Sequence, residues 1–226
     1  MLAPQPKQHT PTVLLEDNHL LVLHKPAGMP VQADASGDLC LVDWAKGYLK
    51  AAYAKPGEVF AGLVHRIDRP VSGIVILTKT SKALTRLSEA FRLRTVEKIY
   101  LAMVSHAPKE PNGTLVDYLI KDSKTNTSKR VHEAHKRADR AELDYRTVQE
   151  TADGYLLEVM LHTGRHHQIR VQLKGMGCPI VGDMKYGARA PYLPHAIMLH
   201  AHKVRFPHPV RDEMVEVVSV PTWLPA

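Results

Sequence analysis

Thirty lysines and arginines against 23 acids give this 226-residue chain a formal net charge of +7, and hydrophobic residues make up 44% of it. That apolar share supports a buried core and excludes wholesale disorder, while the excess charge points to a polyanionic partner, nucleic acid first and an anionic membrane surface second. No apolar run reaches the length of a membrane span, roughly 18 residues. Cys40 and Cys178 form no CxxC pair, so neither a disulfide framework nor a thiolate zinc site is indicated, and a reducing cytoplasm is expected.

Residues 1–12, polar and with prolines at positions 4, 6 and 11, read as a flexible tail, and residues 13–226 as one domain without internal repeats. Val13-Leu14-Leu15 and Leu20-Leu21-Val22-Leu23 flank a polar turn and predict two strands. Lys25-Pro26-Ala27-Gly28-Met29-Pro30 then breaks regular structure. Leu41, Trp44, Ala45, Tyr48 and Leu49 recur at helical spacing and predict a helix over residues 39–53. Ile74-Val75-Ile76-Leu77 reads as a buried strand, and residues 81–93 as a helix capped by Thr80 or Ser81, with Leu84, Leu87 and Phe91 as its buried stripe. Residues 99–104 predict another strand, with Tyr100 near its start.

Residues 121–140 change character, with seven basic residues against three acidic ones and almost no apolar residues. This composition reads as an exposed, partly mobile loop, free to meet phosphates at little desolvation cost or simply to face solvent. Strands over 142–149 and 155–161 follow, joined across Asp153-Gly154. In residues 168–175 the pattern of Ile169, Val171, Leu173 and Met176 fits a short strand and a short helix equally. Two further strands are expected over 197–202 and 214–220.

Chemistry concentrates in His65-Arg66-Ile67-Asp68-Arg69-Pro70-Val71-Ser72-Gly73. A carboxylate beside fixed positive charge stays ionised and can accept protons or attack carbon, although an Asp before Pro also serves as an ordinary turn former. Taking a lone carboxylate into a closed, dry pocket costs on the order of 4 kcal/mol, so an anionic aspartate there needs a guanidinium partner. The histidines (His162, His166 and His167, then His195, His200, His202 and His208) make a poor metal signature, because Thr163-Gly164 interrupts the first group and no HExxH is present. GxSxG, GxxxxGK[ST] and GxGxxG are absent too, so a serine hydrolase and a nucleotide cofactor are unsupported.

The 65–73 stretch resembles the HRLDxxTSG motif of RluA-type pseudouridine synthases. Four more blocks agree in order: residues 20–31 around Lys25-Pro26-Ala27-Gly28; Lys98-Ile99-Tyr100-Leu101-Ala102; Gly164-Arg165-His166-His167-Gln168-Ile169-Arg170-Val171 followed by residues 177–187; and Leu199-His200-Ala201 with Phe206-Pro207-His208-Pro209. Ile67, Val71 and His166 depart from the usual leucine, threonine, and threonine or serine. The resemblance spans residues 13–220 and includes no S4-like domain. It implies a mixed α/β (α+β) fold with a largely antiparallel central sheet, and isomerisation of a uridine in tRNA or rRNA to pseudouridine without metal or cofactor. It further implies that Asp68 is catalytic, Tyr100 lies against the target base and aids removal of its C5 proton, and Arg170 pairs with Asp68. Arg66 would fill the space left by a flipped base, and Arg69, Arg165, Lys129 and Arg130 would contact RNA. A monomer is expected. The rival class, an RNA-binding or ribosome-assembly factor without chemistry, would be favoured by loss of Asp68, Tyr100 or Arg170, and all three are present.

Overall fold

Leucine and β-branched runs build the centre of a large sheet. The computed structural model describes residues 10–54 and 56–224. Its strands are β1 (Thr12–Glu16), β2 (Leu20–Lys25), β3 (Gly62–Leu63), β4 (Ser72–Thr78), β5 (Glu97–Val104), β6 (Asn112–Asp122), β7 (Thr127–Val131), β8 (Asp139–Thr151), β9 (Gly154–Leu161), β10 (Leu199–Pro207) and β11 (Met214–Val218). They join in the order β1-β2-β4-β10-β5-β9-β8-β6-β7, with β3 added to β4 and β11 to β10. Every pairing is antiparallel except β4 with β10, where Ser72 faces His200 and Gly73 faces Ala201. The mixed α/β class and the mostly antiparallel sheet are as the sequence implied. Of the expected tail, residues 1–9 lie outside the described residues.

Both faces of the centre are covered, which is why β2 and β4 read as unbroken apolar runs rather than alternating ones. Leu21, Leu23, Val75 and Leu77 pack into one core with helix α1 (Leu41–Ala52) and with Ile169 and Leu173 of helix α3 (Gln168–Gly175). Leu20, Val22, Ile74 and Ile76 face the other way, toward helix α2 (Ser81–Arg92). Thr80 caps α2 by accepting from the Ala83 amide at 3.2 Å. The buried stripe of α2 is Ala83, Leu87 and Ala90, with Leu84 and Phe91 only partly covered. Small alanines let the helix approach the sheet, and Phe91 is displaced to the margin, where its ring stacks on His65 at 5.0 Å.

One reading is corrected in part: within residues 121–140 the segment 132–138 is an exposed loop as expected, but β6 and β7 form a hairpin in which Lys121 faces Ser128 and Leu119 faces Arg130. This ribbon is the outer edge of the sheet and buries only a few of its side chains, Leu119 and Ser128 among them. A hydrogen-bonded ladder on an exposed edge therefore carries strand structure that apolar alternation does not announce. The strand–helix ambiguity over residues 168–175 resolves as helix, buried on all sides from Gln168 to Leu173. No helix among the described residues is long and apolar enough to cross a membrane.

Candidate active site

Asp68 sits in the turn before β4, and that turn is held by backbone contacts from three directions. The Val71 amide donates to the Asp68 carbonyl at 3.0 Å, the Gly28 amide to the Arg69 carbonyl at 2.8 Å, and the Ile197 amide to the Pro70 carbonyl at 3.1 Å. Gly73 follows directly, with φ of 113°, and a Cβ there would lie 2.3 Å from the Ala201 carbonyl oxygen. Only glycine permits β4 and β10 to meet this closely.

Beneath the turn lies Lys25, fully buried at the end of β2. Its ammonium donates to the carbonyls of Pro26 at 2.8 Å, Met29 at 2.8 Å and Arg69 at 3.1 Å, tying the 25–30 loop to the Asp68 turn. Burial lowers its pKa to about 7, the charge of Asp68 pulling the other way. Three carbonyl acceptors further favour the protonated form.

Arg170, from the first turn of α3, reaches Asp68 Oδ2 through Nη1 at 3.0 Å. Its other edge is gripped by Asp183, Nε to Oδ2 at 2.7 Å and Nη2 to Oδ1 at 2.8 Å, with Arg170 and Asp183 both buried. Such a two-point fork fixes the plane of the guanidinium. Its face lies over the Tyr186 ring, 4.9 Å away. Despite burial, the two carboxylates raise the Arg170 pKa, so it stays a cation.

Tyr100 projects from β5 into a small cavity of about 100 Å³ that it shares with Arg66, Asp68, Arg165, His167, Arg170 and others. Burial first, and then the charge of Asp68, push its phenol pKa well up, so the hydroxyl remains protonated. Asp68 also borders a wider groove of about 410 Å³ on its other side, lined by Arg66, Arg69, Lys121, Asn126, His166 and Lys185 among others.

The structure thus brings Asp68, Tyr100 and Arg170 together, with Arg66 exposed at the lip of both spaces. Arg69 points back into its own fold, donating to the Gly28 carbonyl at 2.9 Å and Ser36 Oγ at 3.0 Å and pairing with Asp38. Arg165 lines the cavity while donating to the Arg140 carbonyl at 3.1 Å and pairing with Asp139 at 3.2 Å. Lys129 and Arg130 lie on β7 and line neither space, Arg130 being paired with Asp117 at 2.5 Å. Lys121 belongs to the basic segment expected to meet phosphates, whereas Lys25, His167, Asp183, Lys185 and Tyr186 are site residues to which sequence reasoning gave no role. The visible signal was a lysine ending a largely apolar strand, and an Asp183 set in a glycine-bearing turn.

A family model described as RNA pseudouridylate synthase matches residues 19–174. The chain is 34% identical over 213 residues to the ribosomal large subunit pseudouridine synthase C of Vibrio cholerae, covering 91% of this chain and 64% of that protein. It is 32% identical over 229 residues to the ribosomal large subunit pseudouridine synthase D of Zymomonas mobilis, covering 94% of this chain and 71% of that one. The chain therefore spans 64% of the length of the Vibrio relative. Among solved structures, human RNA Pseudouridylate Synthase Domain Containing 4 superposes with a TM-score of 0.78 at 26% identity, over 93% of this chain and 89% of that one. Human RNA Pseudouridylate Synthase Domain Containing 1 gives 0.76 at 25% identity, over 98% and 88%.

Proposed function

Because the chain belongs to the RNA pseudouridylate synthase family, we propose that it isomerises a uridine of RNA to pseudouridine, with Asp68 as the catalytic carboxylate. The observation that carries this reading is one cavity lined by Asp68, Tyr100 and Arg170, with Arg170 Nη1 3.0 Å from Asp68 Oδ2. In the reaction the N1–C1′ bond of uridine breaks, the base turns, C5 bonds to C1′, the C5 proton leaves and N1 takes up a proton, so that substrate and product are isomers. No electrons are gained or lost overall. The work left to the protein is to hold the sugar and base together and to supply one group that acts at the sugar. A carboxylate fits that role whether it attacks the sugar carbon or removes a sugar proton, and Arg170 holds it in place.

Tyr100 is kept a neutral phenol, so it serves as a surface and hydrogen-bonding group against the base, close to where the C5 proton departs. With its pKa raised, its phenolate, the form that would accept that proton, is scarcely populated in the free protein. A uridine inside a stem must leave the stack to reach so small a cavity, and the exposed Arg66 is the group positioned to follow it. Lys121, Lys185 and His166 along the groove, with Arg165 at the cavity and Lys129 and Arg130 beyond, would grip phosphates. The names of the relatives favour large-subunit ribosomal RNA as the substrate.

The test is direct. Pseudouridine is mapped across total RNA from cells with and without this gene, then in the deletion strain carrying Asp68→Asn. One or more ribosomal RNA sites should vanish in the deletion and stay absent in the variant. Restoration by Asp68→Asn would refute the role of Asp68, and sites lost only from transfer RNA would move the substrate there.

A further inference from the structure

His167 starts α3 in the left-handed region, with φ of 55°, and is buried against the site. Its two ring nitrogens face different partners. Nδ1 lies 2.7 Å from the Tyr186 hydroxyl, and Nε2 lies 3.5 Å from Asp68 Oδ2. The Tyr186 oxygen also accepts the Ser128 amide of β7 at 2.8 Å. With that amide pointing at its oxygen, the tyrosine has one hydrogen to give, and Nδ1 is the acceptor in reach. A neutral imidazole that accepts at Nδ1 must carry its hydrogen on Nε2. Burial first, and then Arg170 and the neighbouring His166, Lys185 and Lys121, hold this ring far below an ordinary histidine pKa, so it stays neutral.

We propose that His167 is a positioning residue for Asp68, its Nε2–H locked toward the carboxylate by the Ser128–Tyr186 relay. Both donors, Arg170 Nη1 and His167 Nε2, approach the same oxygen, Oδ2. No hydrogen bond or ion pair among the described residues is made to Oδ1. Oδ1 is then the oxygen that acts on the sugar, while Oδ2 is the tethered one. A neutral second donor has a chemical advantage. It fixes the carboxylate plane without a second positive charge, which would blunt the carboxylate as a base or nucleophile. At 3.5 Å the contact is long for a hydrogen bond, and catalytic contacts of this kind shorten when substrate closes the site.

This inference rests on Asp68 being the catalytic group, and its test separates the two. The full chain is assayed on in-vitro-transcribed large-subunit ribosomal RNA, alongside ¹⁵N-histidine NMR of the free protein. His167→Leu removes the donor. His167→Gln offers an amide N–H near the Nε2 position and shares the same left-handed backbone strain, so it controls for folding. Tyr186→Phe keeps the ring and removes only the hydroxyl that sets the tautomer. His167→Leu and Tyr186→Phe should lower kcat by about 10- to 100-fold with KM within about twofold, the scale of a misplaced reacting group. His167→Gln should recover most of the loss. The NMR signature of His167 should be Nε2–H with Nδ1 as acceptor, and Tyr186→Phe should shift it. An Nδ1–H tautomer, or wild-type kcat in His167→Leu, overturns the proposal. If Asp68→Asn is inactive while His167→Leu is fully active, the relay alone fails. Turnover by Asp68→Asn would instead fail the reading beneath it.

Discussion

Arg170 and Asp68 are 102 positions apart in sequence and 3.0 Å apart in the fold, and the cation of the pair is the member whose position is set in advance. Asp183 grips Arg170 from behind at two points, and Asp68 receives only the remaining nitrogen. The guanidinium is therefore immobilised by Asp183, and the partly exposed Asp68 rests against a fixed reference. This arrangement presents a preset cation to the Asp68 carboxylate.

Asp68→Asn preserves the shape of the turn and removes its charge. Pseudouridine formation in ribosomal RNA should fall at least about a thousandfold. Melting temperature and RNA affinity should change little, because the turn is held by its backbone. A variant that retains turnover would remove Asp68 from the chemistry.

Asp183→Asn leaves the buried Arg170 without the carboxylate that holds its Nε and Nη2. Breaking one partner out of a buried pair costs roughly 3–5 kcal/mol. Urea denaturation should show a loss of that size together with loss of activity. A stability change below about 1 kcal/mol would mean that water or Asp68 replaces the fork.

Gly73→Ala forces a Cβ to within 2.3 Å of the Ala201 carbonyl oxygen at a backbone angle that L residues rarely adopt. A cost of about 3 kcal/mol or more is expected, combining the strain of the angle with displacement of β10. Denaturation measures it directly, and a neutral substitution would be incompatible with the parallel contact of β4 and β10.

The fully buried His200 donates or accepts between Ser72 and Ser219, and burial pulls its pKa from 6.5 to about 3. Between those values the unfolded chain takes up a proton that the native state does not, so unfolding free energy rises with pH there. This contribution is complete above about 6.5 and is lost toward pH 3 at up to about 1.4 kcal/mol per unit. Denaturation of the wild type at pH 7 and pH 4.5 should show the drop, to which the depressed His65 and His167 also contribute, and His200→Asn should remove its share of the slope. An unchanged slope in the variant would place the acid sensitivity elsewhere.

RNA affinity should fall steeply and linearly with salt on logarithmic axes. Alanine at Arg66, Lys121 or Lys185 should each reduce that slope by about one while weakening binding to different sequences equally. A slope unaffected by all three would argue that phosphates do not follow the groove.

The parts of this fold that sequence displays are those governed by apolar burial. β2 and β4 announce themselves as unbroken hydrophobic runs, and α1 through its spacing of Leu41, Ala45 and Leu49. The β6–β7 ribbon does not, because Thr127 to Val131 gains its structure from ladder hydrogen bonds at an exposed edge. α3 stayed ambiguous because burial on every side, Arg170 and Gln172 included, erases the polar face that marks a helix. At the site, motif agreement pointed to Asp68, Tyr100 and Arg170. Lys25 passed unnoticed because a lysine at a strand end normally faces water, and Arg69 turns to Gly28 and Asp38, partners that no local pattern links to it.

Among the described residues, β10 stands between β4 and β5 and is the only strand that joins β1-β2-β4 to β5-β9-β8-β6-β7. Asp68 precedes β4, and Tyr100 lies on β5. The two halves of the candidate site thus belong to separate half-sheets until a strand near the end of the chain is in place. During synthesis Asp68 and Tyr100 leave the ribosome well before the strand that registers them. Completion of the candidate site therefore depends on a late, sequence-distant closure rather than on local folding.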